Sequence, residues 1–142
     1  MKTLEMSLQA VNKATVTRFN KAFIQDGDMV AFNDIIAPDF INHTAPPGSP
    51  VDGSGVIYFF NHILRPAFPD LTVEIYDQVA EGDKVTTRKA FHGTHQGEFM
   101  GIPATGKQVV MPVIDILTLR DGKFIEHWGI VDMPTVMAQI TG

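Results

Sequence analysis

The stretch that most constrains the fold is residues 107–132, which contains two strand-like segments around one tight turn. The turn is the dipeptide Asp121-Gly122, which favours a β-hairpin because its positions accept positive φ. Asp115 lies in the middle of the first segment, among valine, isoleucine and leucine residues. The second segment carries Glu126, His127 and Trp128 in succession. We therefore expect Asp115 and this cluster on neighbouring antiparallel strands.

The rest of the chain places helices before strands. Apolar residues at helical spacing predict helices over residues 7–26, 29–36, 55–66 and 134–140, with Ser7 or Thr3 capping the first and Pro38 ending the second. Alternating patterns predict strands over residues 71–79 and 85–95, with a short extended piece over residues 39–44. This order is typical of an α+β fold, in which helices cover one face of a curved, mainly antiparallel sheet.

Length and composition limit the classes of protein. The 142 residues fit a single domain spanning 1–142, and 44% apolar content is ordinary for a globular chain. A net charge of −5 offers no basic surface for nucleic acid. There is no cysteine, no apolar signal segment near the start and no long apolar run. We expect a cytoplasmic protein that binds neither nucleic acid nor membrane.

The first strand of the hairpin is apolar on both faces. Val109, Met111, Val113 and Leu117 share one face with Asp115, whereas Val110, Ile114 and Ile116 share the other. A strand with two apolar faces is covered on both sides. The helices cover one face only, so we expect a homodimer formed through the other.

Several of these segments together resemble a known family. Residues 92–107 (HGTHQGEFMGIPATGK), the triplet Asp115-Ile116-Leu117, and the segments Asp121-Gly122-Lys123 and Glu126-His127-Trp128 are similar to the signature of SnoaL-like polyketide cyclases and ester cyclases. The resemblance covers nearly the whole chain. It implies the cone-shaped α+β barrel of nuclear transport factor two and ketosteroid isomerase, in which a curved sheet encloses an apolar pocket.

The resemblance also implies acid–base chemistry without a cofactor on a small, apolar, carbonyl-bearing substrate. In such cyclases an aspartate removes a proton next to a carbonyl, and an asparagine and a histidine assist. Residue by residue, the asparagine falls on Asn42, the histidine on Asp115, and the base aspartate on Gly129, which has no side chain. We therefore expect that Asp115, on the adjacent strand, has taken over the proton transfer.

Asp115 is the sharpest catalytic candidate. A carboxylate among apolar residues either has a raised pKa, as a general base requires, or is held in a structural ion pair, for instance with Arg88. Arg88 itself either polarises a carbonyl or forms a surface salt bridge. His92 shares the Arg88 face by strand parity, whereas His95 faces the other way unless Gly93 bulges the strand, and both are candidate acid–base partners. His95 is either an acid–base partner or an anchor for residues 97–107.

Other residues complete the predicted site. Asn42 and His43 face opposite ways, and the resemblance favours Asn42 as the residue in the pocket. His127 shares the face of Gly129 and is the second candidate partner of Asp115. Trp128 either contacts substrate or packs in a core or interface. We expect Phe99 and Met100, in the glycine-rich residues 97–107, to form an apolar lid over the pocket.

Two classes of function remain open. The five histidines show no metal-ligand spacing, and the glycines of residues 101–107 do not form a phosphate loop, so we expect neither a metal nor a cofactor. One class is a cyclase, isomerase or hydro-lyase that uses Asp115. The other is a non-catalytic ligand-binding or dimerisation module of the same fold. Buried Asp115 favours the enzyme, and the absent acid at Gly129 favours the module.

Overall fold

A computed structural model describes residues 7–142, beginning with two helices. Helix α1 (Leu8–Arg18) continues without a break into a π-helical segment (Phe19–Gln25), and α2 (Met29–Ile35) follows. Ser7 caps α1, because its hydroxyl oxygen accepts the backbone N–H of Ala10 at 3.1 Å. Thr3, the alternative cap, lies outside the described residues. The predicted first helix is confirmed, although its second half is π-helical.

The third predicted helix is also present with the same feature. It comprises α3 (Gly53–Tyr58), a π-helical segment (Phe59–Leu64) and a final turn α4 (Arg65–Ala67). The Arg65 guanidinium donates to the backbone oxygens of Phe23 and Ile24, both at 2.9 Å. These bonds tie α4 to the π-helical segment of the first helix. The chain ends in α5 (Met133–Thr141). No helix within residues 7–142 is long and apolar enough to cross a membrane.

Residues 7–142 form one sheet of five strands, β1 (Ile36–Asn42), β2 (Thr72–Glu81), β3 (Lys84–Thr94), β4 (Gln108–Arg120) and β5 (Lys123–Val131). The order across the sheet is β1-β5-β4-β3-β2, with β1 parallel to β5 and every other pair antiparallel. The hairpin turn has φ of 53° at Asp121 and 76° at Gly122, as a two-residue turn of this kind requires. The predicted α+β architecture is confirmed.

Strand β1 differs from the prediction. It begins at Ile36, directly after α2, so Pro38 lies inside the strand instead of ending the preceding helix. Proline is tolerated there because β1 is an edge strand, and the pairing with β5 is irregular between Ile36 and Ile41. The predicted extended piece over residues 39–44 overlaps β1, but the sequence did not predict that the strand starts at Ile36.

The two faces of β4 have different surroundings. The inner face, which carries Val109, Met111, Val113 and Leu117, is buried in the core beneath the helices. On the outer face Val110 is 38% exposed and Ile114 is 52% exposed. The helices of one chain therefore cover only the inner face, and Asp115 belongs to that covered face.

Candidate active site

Asp115 lies at the centre of the sheet, where β4 pairs with β3 and β5. Its neighbours across the strands are Thr87 and Gly129. The residue is only 5% exposed. One carboxylate oxygen, Oδ2, contacts the Lys89 ammonium at 2.9 Å. The other, Oδ1, is buried and has no hydrogen-bond partner among residues 7–142. The site therefore contains a buried carboxylate with one oxygen paired and one free to accept.

Lys89 is the counter-ion of Asp115 and is itself only 2% exposed. Its Nζ also donates to Oδ1 of Asn20 at 2.6 Å, and it lies 5.3 Å from the ring centroid of Phe91. Asn20, in the π-helical end of the first helix, in turn donates to the backbone oxygen of Val16. The cation is thus held by a carboxylate, an amide oxygen and an aromatic ring.

The ion pair decides the ionisation of Asp115. Burial raises the pKa of its carboxyl, but the charge of Lys89, with a further contribution from His127, outweighs burial and leaves the pKa below its ordinary value of 3.8. The carboxyl is therefore an anion at neutral pH. The expectation of a raised pKa for the Asp115 carboxyl is therefore wrong. The alternative of an ion pair is confirmed, with Lys89 as the partner instead of Arg88.

His127 approaches the same carboxylate from β5. Its Nε2 lies 3.6 Å from Oδ2 of Asp115, which is an ion-pair distance and too long for a direct hydrogen bond. Its Nδ1 lies 2.9 Å from Oδ1 of Asn42. The His127 side chain is 25% exposed, so it links the buried carboxylate to the surface.

The hydrogen bonds around Asn42 fix which nitrogen of His127 carries the proton. The backbone N–H and the hydroxyl of Thr44 both donate to Oδ1 of Asn42, at 3.2 Å each. The amide oxygen, not the NH₂ group, therefore faces Nδ1 of His127, and Nδ1 is the donor. In the neutral ring the free lone pair is then on Nε2, next to Asp115.

Arg88 and His92 lie on the outer face of the sheet, away from Asp115. Arg88 pairs with Asp77 at 3.0 Å and lies over the Tyr76 ring, with its side chain 53% exposed. His92 contacts Glu74 at 3.0 Å. The structure does not bring either residue to the Asp115 carboxylate, because strand parity turns Lys89, and not Arg88, inwards.

His95 is fully buried but belongs to the other end of the strand pair. Its backbone bonds to Lys107 and Gly106, and its Nδ1 lies 2.9 Å from the Thr105 hydroxyl. Asp115 pairs with Thr87, which is about 25 Å from His95 along an extended strand. The described contacts of His95 thus anchor residues 97–107 and do not join it to the acid.

Residues 97–107 begin with a small hairpin. Phe99 and Ile102 exchange backbone hydrogen bonds at 3.0 and 2.9 Å, and Met100 and Gly101 between them both have positive φ. Phe99 is 1% exposed and packs against Phe68 at 5.3 Å between ring centroids, whereas Met100 is 55% exposed. Phe99 therefore does not form the expected apolar lid, because its ring is part of the core.

Trp128 lies on the outer face with His43 and Glu126. The rings of Trp128 and His43 stack at 4.6 Å, and Nε2 of His43 contacts Glu126 at 3.0 Å. The structure separates His43 from the inner face and brings Asn42 to His127. Trp128 does not approach Asp115, since the two side chains are on opposite faces.

Within residues 7–142, neither of the two best-defined concave regions is lined by Asp115. The two best-defined concave regions are shallow grooves of about 290 and 380 Å³ on the outer face, one beside His92 and one beside Ile116. The inner face is filled by core residues and by partly buried apolar side chains of the third helix, such as Phe60. Within residues 7–142 no group of three or more histidine, cysteine, aspartate or glutamate side chains could hold a metal ion.

Sequence reasoning missed Lys89, Asn20 and Thr44. The signal for Lys89 was present, because it alternates with Val85, Thr87 and Phe91 along β3 and therefore shares their buried face. No local pattern marked Asn20, since its contact with Lys89 joins the first helix to a strand far along the chain. Thr44 matters only once β1 is known to pair with β5.

The sequence and the fold match a known protein family. The model of the SnoaL-like polyketide cyclase family matches residues 14–140, and the chain belongs to this family. The cone-shaped fold that the resemblance implied is thereby confirmed. Among curated proteins, none matches the chain significantly.

Solved structures agree with this assignment. IdmH from Streptomyces antibioticus, described as a candidate polyketide cyclase, is 36% identical and superposes with a TM-score of 0.82, covering 92% of this chain and 99% of its own. A candidate SnoaL-like polyketide cyclase from Jannaschia sp. CCS1 is 28% identical, with a TM-score of 0.82 over 99% of both chains. AclR from Streptomyces galilaeus, described as a candidate hydroxylase, is 28% identical, with a TM-score of 0.82 over 94% of this chain and 82% of its own.

Proposed function

We propose that this protein is an acid–base enzyme of the polyketide cyclase type, which removes a proton next to a carbonyl group of a small apolar substrate. The observation that carries the proposal is the contact of His127 with the buried, ionised Asp115. Neither Nε2 of His127 nor Oδ1 of Asp115 has a hydrogen-bond partner among the described residues. Nε2 of His127 is therefore free to take a proton, whereas Oδ1 of Asp115 is buried, and the reaction as proposed uses no cofactor.

We infer different roles for the two side chains. The lowered pKa of Asp115 makes its carboxylate a weak base but a permanent anion. His127 presents the lone pair of Nε2, and it is the more exposed of the two side chains. We infer that His127 takes the proton and that Asp115 stabilises the imidazolium formed, while Asn42 orients the ring. This revises the expectation that Asp115 itself is the base.

The proposal is tested by proton exchange, which needs no knowledge of the final product. The wild-type protein is incubated in D₂O with apolar ketones, such as tetralones and aryl β-ketoesters, and deuterium next to the carbonyl is followed by NMR. His127→Gln should slow exchange by a factor of about 100 or more. His62→Gln, at an exposed histidine on the third helix, is the matched control. Equal exchange rates in wild type and His127→Gln would refute the assignment.

A second candidate function is a non-catalytic module of the same fold. The observation in its favour is the filled inner face, because neither of the two best-defined grooves reaches Asp115. Fold alone does not decide between the two functions. If none of the ketones exchanges faster with wild-type protein than with buffer, while some of them bind, the ligand-binding module is favoured.

The outer face of the sheet supports a homodimer. Its exposed apolar side chains include Ile130 at 75%, Val79 at 68%, Ile114 at 52% and Tyr76 at 44%. Apolar side chains that cluster on one sheet face mark an interaction surface, because isolated monomers rarely expose such patches. We infer that a second copy of the chain covers this face, leaving the Asp115 side of each sheet to its own helices.

A further inference from the structure

The missing side chain at position 129 has a structural consequence for His127. Gly129 is the direct partner of Asp115 across β4 and β5, on the same inner face as His127. A Cβ atom at this position would lie 2.7 Å from Cε1 and 3.0 Å from Nε2 of the His127 ring. The first distance is shorter than real Cβ contacts, and the second is at the limit. The imidazole therefore occupies the volume that any side chain at 129 would fill.

The backbone at position 129 does not itself require glycine. The glycines with positive φ lie in turns and loops, and Gly129 is not among them. Alanine could therefore adopt the same extended conformation, and in a strand it restricts the unfolded chain more than glycine does. What alanine cannot share is the space of the His127 ring, and the ring is the mobile end of a side chain that can rotate away.

Gly129 also contacts the polar groups that orient the ring. Its backbone N–H donates to the hydroxyl oxygen of Thr44 at 2.9 Å. That hydroxyl donates to Oδ1 of Asn42 at 3.2 Å, and the same oxygen accepts Nδ1–H of His127 at 2.9 Å. The glycine thus leaves room for the imidazole on one side and anchors, through Thr44, the amide that holds it on the other.

We propose that Gly129 is a positioning residue, whose absent side chain admits the His127 ring to the Asp115 carboxylate. A side chain at 129 and the observed place of His127 exclude each other. A carboxylate introduced at 129 would therefore not add a second base to the present site. It would displace the imidazole, so that a carboxylate at position 129 would take the place of the His127 ring beside Asp115. This inference concerns the place of the ring, and its catalytic consequence rests on the proposed function.

The experiment compares the full-length wild-type protein with Gly129→Ala by ¹⁵N NMR of the histidine ring, assigned through His127→Gln. In Gly129→Ala, the ¹⁵N chemical shifts of the His127 ring should change towards those of the double variant Lys89→Met/Asp115→Asn, in which the Asp115 carboxylate is absent. A crystal structure should show the distance from Nε2 to Oδ2 of Asp115 well above 3.6 Å. Ile130→Val, the adjacent residue on the opposite face, is the control and should leave the ring shifts unchanged.

A double-mutant cycle of Gly129→Ala and His127→Ala, followed by melting temperature, supplies the second measurement. In a His127→Ala background, where the volume of the imidazole ring is empty, Gly129→Ala should raise the melting temperature. When His127 is present, Gly129→Ala should raise the melting temperature by less, or lower it. Equal effects in both backgrounds, together with unchanged ring shifts, would overturn the proposal. In Gly129→Ala, changed His127 ring shifts together with an unchanged rate of ketone exchange would support the positioning role of Gly129. The same result would refute the proposed catalytic function, so the two hypotheses can fail independently.

Discussion

Asp115 and Lys89 form an ion pair of 2.9 Å in which both side chains are almost completely enclosed, 6% and 2% exposed. Removing one partner leaves an uncompensated charge in the core. We therefore expect Asp115→Asn and Lys89→Met each to lower the free energy of unfolding by about 3–5 kcal/mol, whereas the double variant recovers most of this loss. Guanidinium denaturation of all four proteins measures the coupling.

The matched control for this cycle is the exposed pair of Asp39 and Arg120, at 2.9 Å with both side chains more than half exposed. Asp39→Asn should change stability far less than Asp115→Asn does, because exposed ion pairs contribute little. If Asp115→Asn proves as mild as Asp39→Asn, the buried pair does not stabilise the fold in the way that its burial implies.

The same pair gives a prediction for acid pH. The pKa of Asp115 is lowered in the folded protein, so its contribution to stability is present above the unfolded value, near 3.8. That contribution is lost as the pH falls through the folded pKa. The unfolding free energy of the wild type should fall relative to that of Lys89→Met/Asp115→Asn as the pH falls below about 4. A difference that stays constant below about pH 4 would contradict this.

Strand parity in the amino-acid sequence predicts much of the site. It places Asp115 with the core residues of β4, puts His127 on the Gly129 face and separates Asn42 from His43. The suggested ion pair between Arg88 and Asp115 is wrong, because parity turns the neighbouring Lys89 inwards. The alternative for Arg88, a surface salt bridge, is confirmed by its contact with Asp77. The expectation that Phe99 forms part of a lid is wrong for a different reason. Glycine and proline mark residues 97–107 as irregular, but composition cannot show that Phe99 packs on Phe68.

The core position of Phe99 predicts how residues 97–107 respond to mutation. Phe99→Ala should lower the free energy of unfolding by about 3–5 kcal/mol, because it removes a fully buried ring. Met100→Gly should be neutral or stabilising, since Met100 is exposed and holds a φ of 51° that suits glycine. Denaturant unfolding measures both. A Phe99→Ala protein of wild-type stability with weakened ketone binding would restore the lid interpretation.

The exposed outer face of the sheet predicts how assembly responds to charge. Ile130 and Ile114 lie on neighbouring strands and pair in register, so a glutamate at either position puts a carboxylate in the middle of the apolar surface. Ile130→Glu should convert a dimer into a monomer while the fold remains intact, because the Ile130 side chain is already 75% exposed in the single chain. Val30→Glu, at a residue of α2 that is 65% exposed, is the matched control and should leave assembly unchanged. Sedimentation velocity at micromolar concentration distinguishes the outcomes. A wild-type protein that sediments as a monomer, or an Ile130→Glu variant that sediments like wild type, would remove this face from consideration as the dimer interface.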